Sequence, residues 1–175
     1  MRKTNIILAQ LFFYVSFFLY TEIAYAQTLP SILLSEVQIE GIDDDGKTIG
    51  DDEFIELYNP SAQTVSLAGL KLCRKTSGGG ASQIKSFSDS DTILGNDYFL
   101  FAHSDGKFAT LADAKTKSSP LAKNNSIAIA DDCNTPTIII DSIAWGSGKT
   151  FNEQTALTSN PTPGHSIVRD IQTFL

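Results

Sequence analysis

The sequence predicts an all-β domain, a sandwich or a barrel, and three observations carry that prediction. Apolar residues recur with period two in short runs; Gly, Asn, Asp, Pro and Ser clusters separate the runs at short intervals; helical periodicity is nearly absent. With 175 residues, 42% of them apolar and 19% charged, the chain carries enough apolar material for one core and is not a disordered polymer.

The elements follow in order. Ile32–Glu40 alternates, placing Leu33, Val37 and Ile39 on one face and Glu36, Gln38 and Glu40 on the other. Glu53–Asn59 sets Ile55 and Leu57 against Glu56 and Tyr58, and Pro60, which lacks a ladder N–H, stops it. Val65–Lys75 reads as two short strands about Gly69, and Gln83–Phe87 as a weaker one. Ser77–Ser82 reads as a flexible loop between strands. Tyr98–His103 is aromatic and apolar, Phe108–Lys117 suits a short helix or turn, and Ser126–Ala130 alternates Ile with Ala. Thr137–Trp145 is a β-branched run ending on the single tryptophan, and Ser166–Arg169 is a last short strand. About eight strands result, with one solvated face per sheet as antiparallel sandwiches allow.

The first 26 residues read as an address. Arg2 and Lys3 precede an apolar run from Ile6 to Tyr20, and Ala24-Tyr25-Ala26 has the small-x-small pattern of a cleavage site before Gln27. The alternative is an uncleaved anchor, for which Thr4–Thr21 lies at the short limit. Cleavage leaves a short lead over 27–30, a domain over 31–169 and a tail over 170–175. The expected destination is secreted, cell surface or periplasm, with no membrane attachment after cleavage. Export makes Cys73 and Cys133, 60 positions apart, an expected disulfide worth about 4 kcal/mol in the chain-entropy model; the alternative is two free thiols.

Charge and cysteine count exclude some functions. The whole chain has a net charge of −7, and loss of the leader makes it more negative. Nucleic-acid binding through phosphate contacts needs clustered Lys and Arg, so it is not expected. Two cysteines are too few for a four-cysteine zinc or iron–sulfur site.

Several segments together resemble the lamin tail domain in its bacterial exported form. They are Ile32–Val37, Asp51–Pro60, Val65–Leu72, Ile93–Leu100, Ile140–Gly146 and Pro163–Arg169, which in order span nearly all the chain after the leader. The resemblance implies an immunoglobulin-like antiparallel sandwich with no catalytic residues, serving interaction or structure and often attached to exported enzymes. Leu70 stands where the family often carries Trp. The family pattern usually continues past the segment ending at Arg169, so either the domain closes early or the chain is a fragment of a longer protein.

Candidate chemistry is sparse. Asp43, Asp44, Asp45, Asp51, Asp52 and Glu53 are hard oxygen donors, and Asp43, Asp45, Asp51 and Asp52 are the candidate Ca²⁺ ligands. An EF-hand frame with Gly46 in its glycine position fails at both ends, Gly41 and Asp52, so a solvated hairpin tip is the plainer reading. Glu36 and Glu56 on neighbouring strands offer an acid–base pair; the plainer reading is surface residues with cationic neighbours such as Lys71. His103-Ser104-Asp105 and His165-Ser166 juxtapose triad residue types, but adjacency in sequence is not convergence in space, and no nucleophile elbow exists. Gly146-Ser147-Gly148-Lys149-Thr150 lacks the first glycine of a phosphate loop, since position 143 is Ile143. Asn124-Asn125-Ser126 is a nominal glycosylation sequon. Tyr58 and Tyr98 suit stacking on sugars or packing.

No catalytic residue and no cofactor is expected. The function expected is a non-catalytic exported module that binds a protein or a surface polymer. Alternatives are the accessory domain of a larger exported hydrolase and a calcium-dependent adhesion module.

Overall fold

The computed structural model describes residues 31–118, 120–151 and 156–170. Two sheets make the sandwich. The first has the order β10-β9-β4-β1-β13, from strands Leu33–Gln38 (β1), Phe54–Tyr58 (β4), Tyr98–His103 (β9), Ala114–Thr116 (β10) and Ser166–Val168 (β13). The second has the order β12-β11-β6-β7, from Lys71–Thr76 (β6), Ala81–Ser86 (β7), Asn125–Ala130 (β11) and Ile139–Ala144 (β12). Two small ladders complete it, Gly41–Ile42 (β2) with Thr48–Ile49 (β3) and Val65–Ser66 (β5) with Thr92–Ile93 (β8). Among the described residues every ladder is antiparallel except β9–β10.

The inward residues make one core. Leu34, Val37, Ile55, Leu57, Phe99 and Phe101 from the first sheet meet Leu72, Ile127 and Ile129 from the second, all nearly or fully buried. Trp145 is fully buried between the sheets, and its indole N–H donates to Ala122 O at 2.8 Å, so its polar end is satisfied. Leu70 is buried in the same core.

Local chemistry explains where the elements begin and end. Strand β4 stops at Tyr58 because Asn59 turns inward. Its carboxamide N–H groups reach Gln63 O, Ile93 O and Leu94 O at 2.8, 3.1 and 2.9 Å, while its oxygen accepts from Ser61. Gly69 takes φ +79°, a value that disfavours side chains. Gly95 is required by space: a Cβ there would lie 2.3 Å from Ala62 O.

Four expectations are corrected. In β1 the inward residue is Leu34, not Leu33, because a bulge between Leu34 and Glu36 shifts the register and interrupts the alternation. Gln38 is buried and donates to Asp52 O at 2.7 Å. Phe108–Lys117 forms turns and then β10, held beside β9 because Asp113 pairs both its N–H and its carboxylate with the Leu100 backbone. The loop expected over Ser77–Ser82 is tighter: Gly79 at φ +86° closes a hairpin and β7 already begins at Ala81.

Cys73 and Cys133 are disulfide-bonded. The bridge sits on the outer side of the second sheet, where it gathers Ala130, Ile139 and Phe151 into a small second cluster. It fixes the 131–138 turn, in which Asp131 accepts the Thr137 and Ile138 N–H groups and so delays the start of β12. Replacing Cys73 and Cys133 together with Ala is expected to cost about 3–4 kcal/mol in urea unfolding. A loss under about 0.5 kcal/mol would show that the bridge does not constrain the chain.

Candidate binding face and the buried carboxyls

The outer face of the five-stranded sheet carries a cluster of polar side chains. Glu36 of β1 stands directly opposite Glu56 of β4. Such facing like charges destabilise a sheet unless something compensates. The Ser35 hydroxyl donates to Glu56 Oε1 at 2.7 Å, and the Ser166 hydroxyl donates to Glu36. Burial raises the Glu56 pKa, the Ser35 hydrogen bond opposes that, and the Glu36 charge adds to it. Ser35, Glu36, Glu56, Tyr98, Val168 and Arg169 line an open cleft of about 340 Å³ there. The Tyr58 and Tyr98 rings pack against each other beside it, tilted by 36° with centroids 4.8 Å apart.

The pairing of Glu36 with Glu56 matches one sequence reading, but their surroundings differ from the other. Lys71 is not their neighbour; it lies on the second sheet, 2.7 Å from Asp132. Tyr58 is 7% exposed and Tyr98 45%, so only Tyr98 presents a free ring face to solvent.

The acidic residues of the Asp43–Glu53 segment go separate ways. Asp43 accepts the Asp45 and Lys47 N–H groups at 3.1 and 2.7 Å and so builds its own turn. Asp52 is buried, accepts Lys107 N–H at 2.8 Å and lies 3.6 Å from Lys107 Nζ. Asp51 lies 3.7 Å from His103 Nε2. Among the described residues, no group of three or more His, Cys, Asp or Glu side chains is placed to hold a metal ion.

The histidines are placed structurally. His103 belongs to β9 and is buried rather than lying in a loop, with Nδ1 accepting the Asp105 N–H at 3.2 Å. Ser104 and Asp105 bond to each other in the turn that follows. His165 bonds within its own turn, to Thr162 Oγ1 at 3.0 Å. The Gly146–Thr150 segment is an ordinary loop, whose Lys149 carbonyl accepts the Ser126 hydroxyl. Asn124, the sequon asparagine, uses its side-chain oxygen on Ser147 N–H and Asn160, and Ser126 is fully buried, so the sequon serves the fold. Ala24 and Ala26, the expected cleavage positions, lie outside the described residues.

Two buried carboxyls were not legible as special. Asp141 of β12 accepts Leu34 N–H at 2.8 Å and lies 3.0 Å from Arg169 Nη2; burial nonetheless raises its pKa. Glu53 is 2% exposed, accepts Leu121 N–H at 3.0 Å, and leaves Oε1 without a hydrogen-bond partner. Burial pushes Glu53 up to about 8; the Leu121 hydrogen bond and the Arg74 charge oppose this, and the Asp51 charge adds to it. Glu53 reads from sequence as one more member of an acidic run, since desolvation is a property of packing.

The Lamin Tail Domain family profile matches residues 31–147. Comparison with curated proteins finds no match. Strand β13 and Arg169 lie beyond the matched stretch, yet they close the edge of the first sheet.

Two outcomes follow. A chelator is expected to leave the melting temperature unchanged; a fall would mean that the Asp43–Glu53 segment binds a cation after all. Glu53 is neutral in the folded protein up to about pH 8, whereas unfolded it ionises near 4.5. Folding therefore weakens as pH rises from 4.5 to 8. Glu53→Gln is expected to match the unmodified protein below pH 4.5 and to melt higher at pH 8. Equal melting at both pH values would contradict the burial of an ionisable group there.

Proposed function

The chain belongs to the lamin tail domain family, a non-catalytic type of module, and from that premise we propose that it acts as an exported binding and structural module for a protein or a surface polymer. The observation that carries this reading is the open outer face of the first sheet. There the Tyr98 ring, the Glu36 and Glu56 carboxylates, the Ser35 hydroxyl and Arg169 line one cleft. Rings give apolar contact area with little entropy loss, and carboxylates and hydroxyls supply direction, which is the composition of a recognition surface. Glu36 and Glu56 face each other across the strand pair and each accepts a serine hydroxyl, which ties both carboxylates into the sheet's own hydrogen bonding. The apolar leader and the Cys73–Cys133 bridge support export.

The test is retention of the purified exported chain on the cell-envelope fraction of its own cells. Tyr98→Ala combined with Glu36→Lys is expected to weaken retention at least about tenfold while the melting temperature stays close to that of the unmodified protein. Equal retention by both proteins would contradict the assignment of this face. Hydrolysis of an ester, glycoside or nucleic acid that disappears in Glu56→Gln would contradict the non-catalytic reading itself.

A further inference from the structure

Pro120, Leu121 and Ala122 form a short strap joining the two sheets, and a different side chain holds each residue. Arg74 Nη1 of β6 donates to Pro120 O at 2.6 Å. Leu121 N–H donates to Glu53 Oε2 at 3.0 Å. Trp145 Nε1, at the end of β12, donates to Ala122 O at 2.8 Å. The Leu121 side chain is itself part of the core. Two of the three holding groups are incompletely satisfied: Glu53 Oε1 and Arg74 Nε are buried without hydrogen-bond partners. A buried acceptor and a buried donor left over at one strap are costly in a folded protein.

We propose that Glu53 and Arg74 form a proton-operated latch on this strap, closed while the Glu53 carboxyl keeps its proton and loosened when the proton leaves to solvent. In the closed state the neutral carboxyl accepts Leu121 N–H, and Arg74 is free to hold Pro120 O. Once ionised, the carboxylate needs a cation, because an unpaired buried charge is expensive. Arg74 is the cation whose charge already acts on it. Its guanidinium moves to the carboxylate, releases the Pro120 carbonyl and slackens the strap. Burial places the Glu53 transition near pH 8, within reach of ordinary extracellular conditions.

The other charged groups around Glu53 set its surroundings without supplying the switch. Asp51, on the turn before it, disfavours ionisation. Asp52 is committed to Lys107, and His103 of β9 stands on Asp51. Lys123, further along the strap, is exposed.

Trp145 is the single tryptophan and holds the strap directly, so its emission reports the latch. The experiment titrates tryptophan emission of the whole chain after leader removal from about pH 6 to about pH 9. It is paired with hydrogen exchange at the Leu121 amide, corrected for intrinsic rate. The unmodified protein is expected to show an emission transition centred near pH 8, with Leu121 protection falling over the same range. Glu53→Gln keeps the group neutral and is expected to remove both changes. Arg74→Met removes the exchanging cation, and is expected to abolish the centred transition. An emission transition of the same size in Glu53→Gln, or constant Leu121 protection across the range in the unmodified protein, would overturn the proposal. The exchange measurement decides the matter even if neither variant folds.

Discussion

The sandwich depends on how the first half of β1 ends its ladder. The Leu34 N–H and C=O both point away from β4, toward the side where β13 has already stopped, because β13 pairs only with Glu36, Val37 and Gln38. Among the described residues, no strand covers Leu34 there. Asp141, reaching across from β12 of the other sheet, takes the N–H at 2.8 Å, and Arg169 Nε takes the C=O at 3.0 Å. Arg169 N–H then continues to Ser35 O at 2.9 Å, and its guanidinium closes onto Asp141. Two side chains thus do for one residue what a neighbouring strand does elsewhere, and they join the layers while doing so. The cost is visible: burial raises the pKa of Asp141 even with Arg169 beside it, so desolvation outweighs the pairing. Removing either partner would leave a buried charge or a buried amide unmatched, which is the expensive case.

Around that clasp the chain divides its apolar material between two places. Most of it fills the space between the sheets, with Trp145 as the largest fully buried side chain. A smaller part lies outside the second sheet under the disulfide-anchored turn, where Cys73, Ala130, Cys133, Ile139 and Phe151 meet and Lys75 lies over the Phe151 ring. The second sheet is therefore partly covered on its outer face. The first sheet keeps its outer face open around Glu36, Glu56 and Tyr98.

Much of this was readable in the residues. Period-two alternation located β4 and β11, an aromatic apolar run located β9, and a β-branched run located β12. Pro60 and Gly69 marked real ends, since a missing N–H and a positive φ act locally. The oxidising context implied by the leader paired Cys73 with Cys133. What escaped depends on neighbours distant in sequence. The bulge at Ser35 lies beside Leu34, whose N–H is held by Asp141, 107 positions away. Strand β10 pairs with β9 in parallel because Asp113 locks onto Leu100, a contact invisible to a pattern of alternation. The facing of Glu36 and Glu56 was legible as adjacency of strands; the cleft and Tyr98 beside them were not, because they follow from register. Glu53 and Asp52 look alike in the acidic run, yet one is neutralised by desolvation and the other is tied to Lys107.

A double-mutant cycle on Asp141 and Arg169 tests the clasp most directly, with Asp141→Asn, Arg169→Met and the pair unfolded in urea. Each single change is expected to cost about 2–4 kcal/mol, and the pair to cost less than the sum by about 1 kcal/mol or more. Singles within about 0.5 kcal/mol of the unmodified protein, the range of surface substitutions, or strictly additive losses, would contradict the claim that these two side chains jointly finish β1.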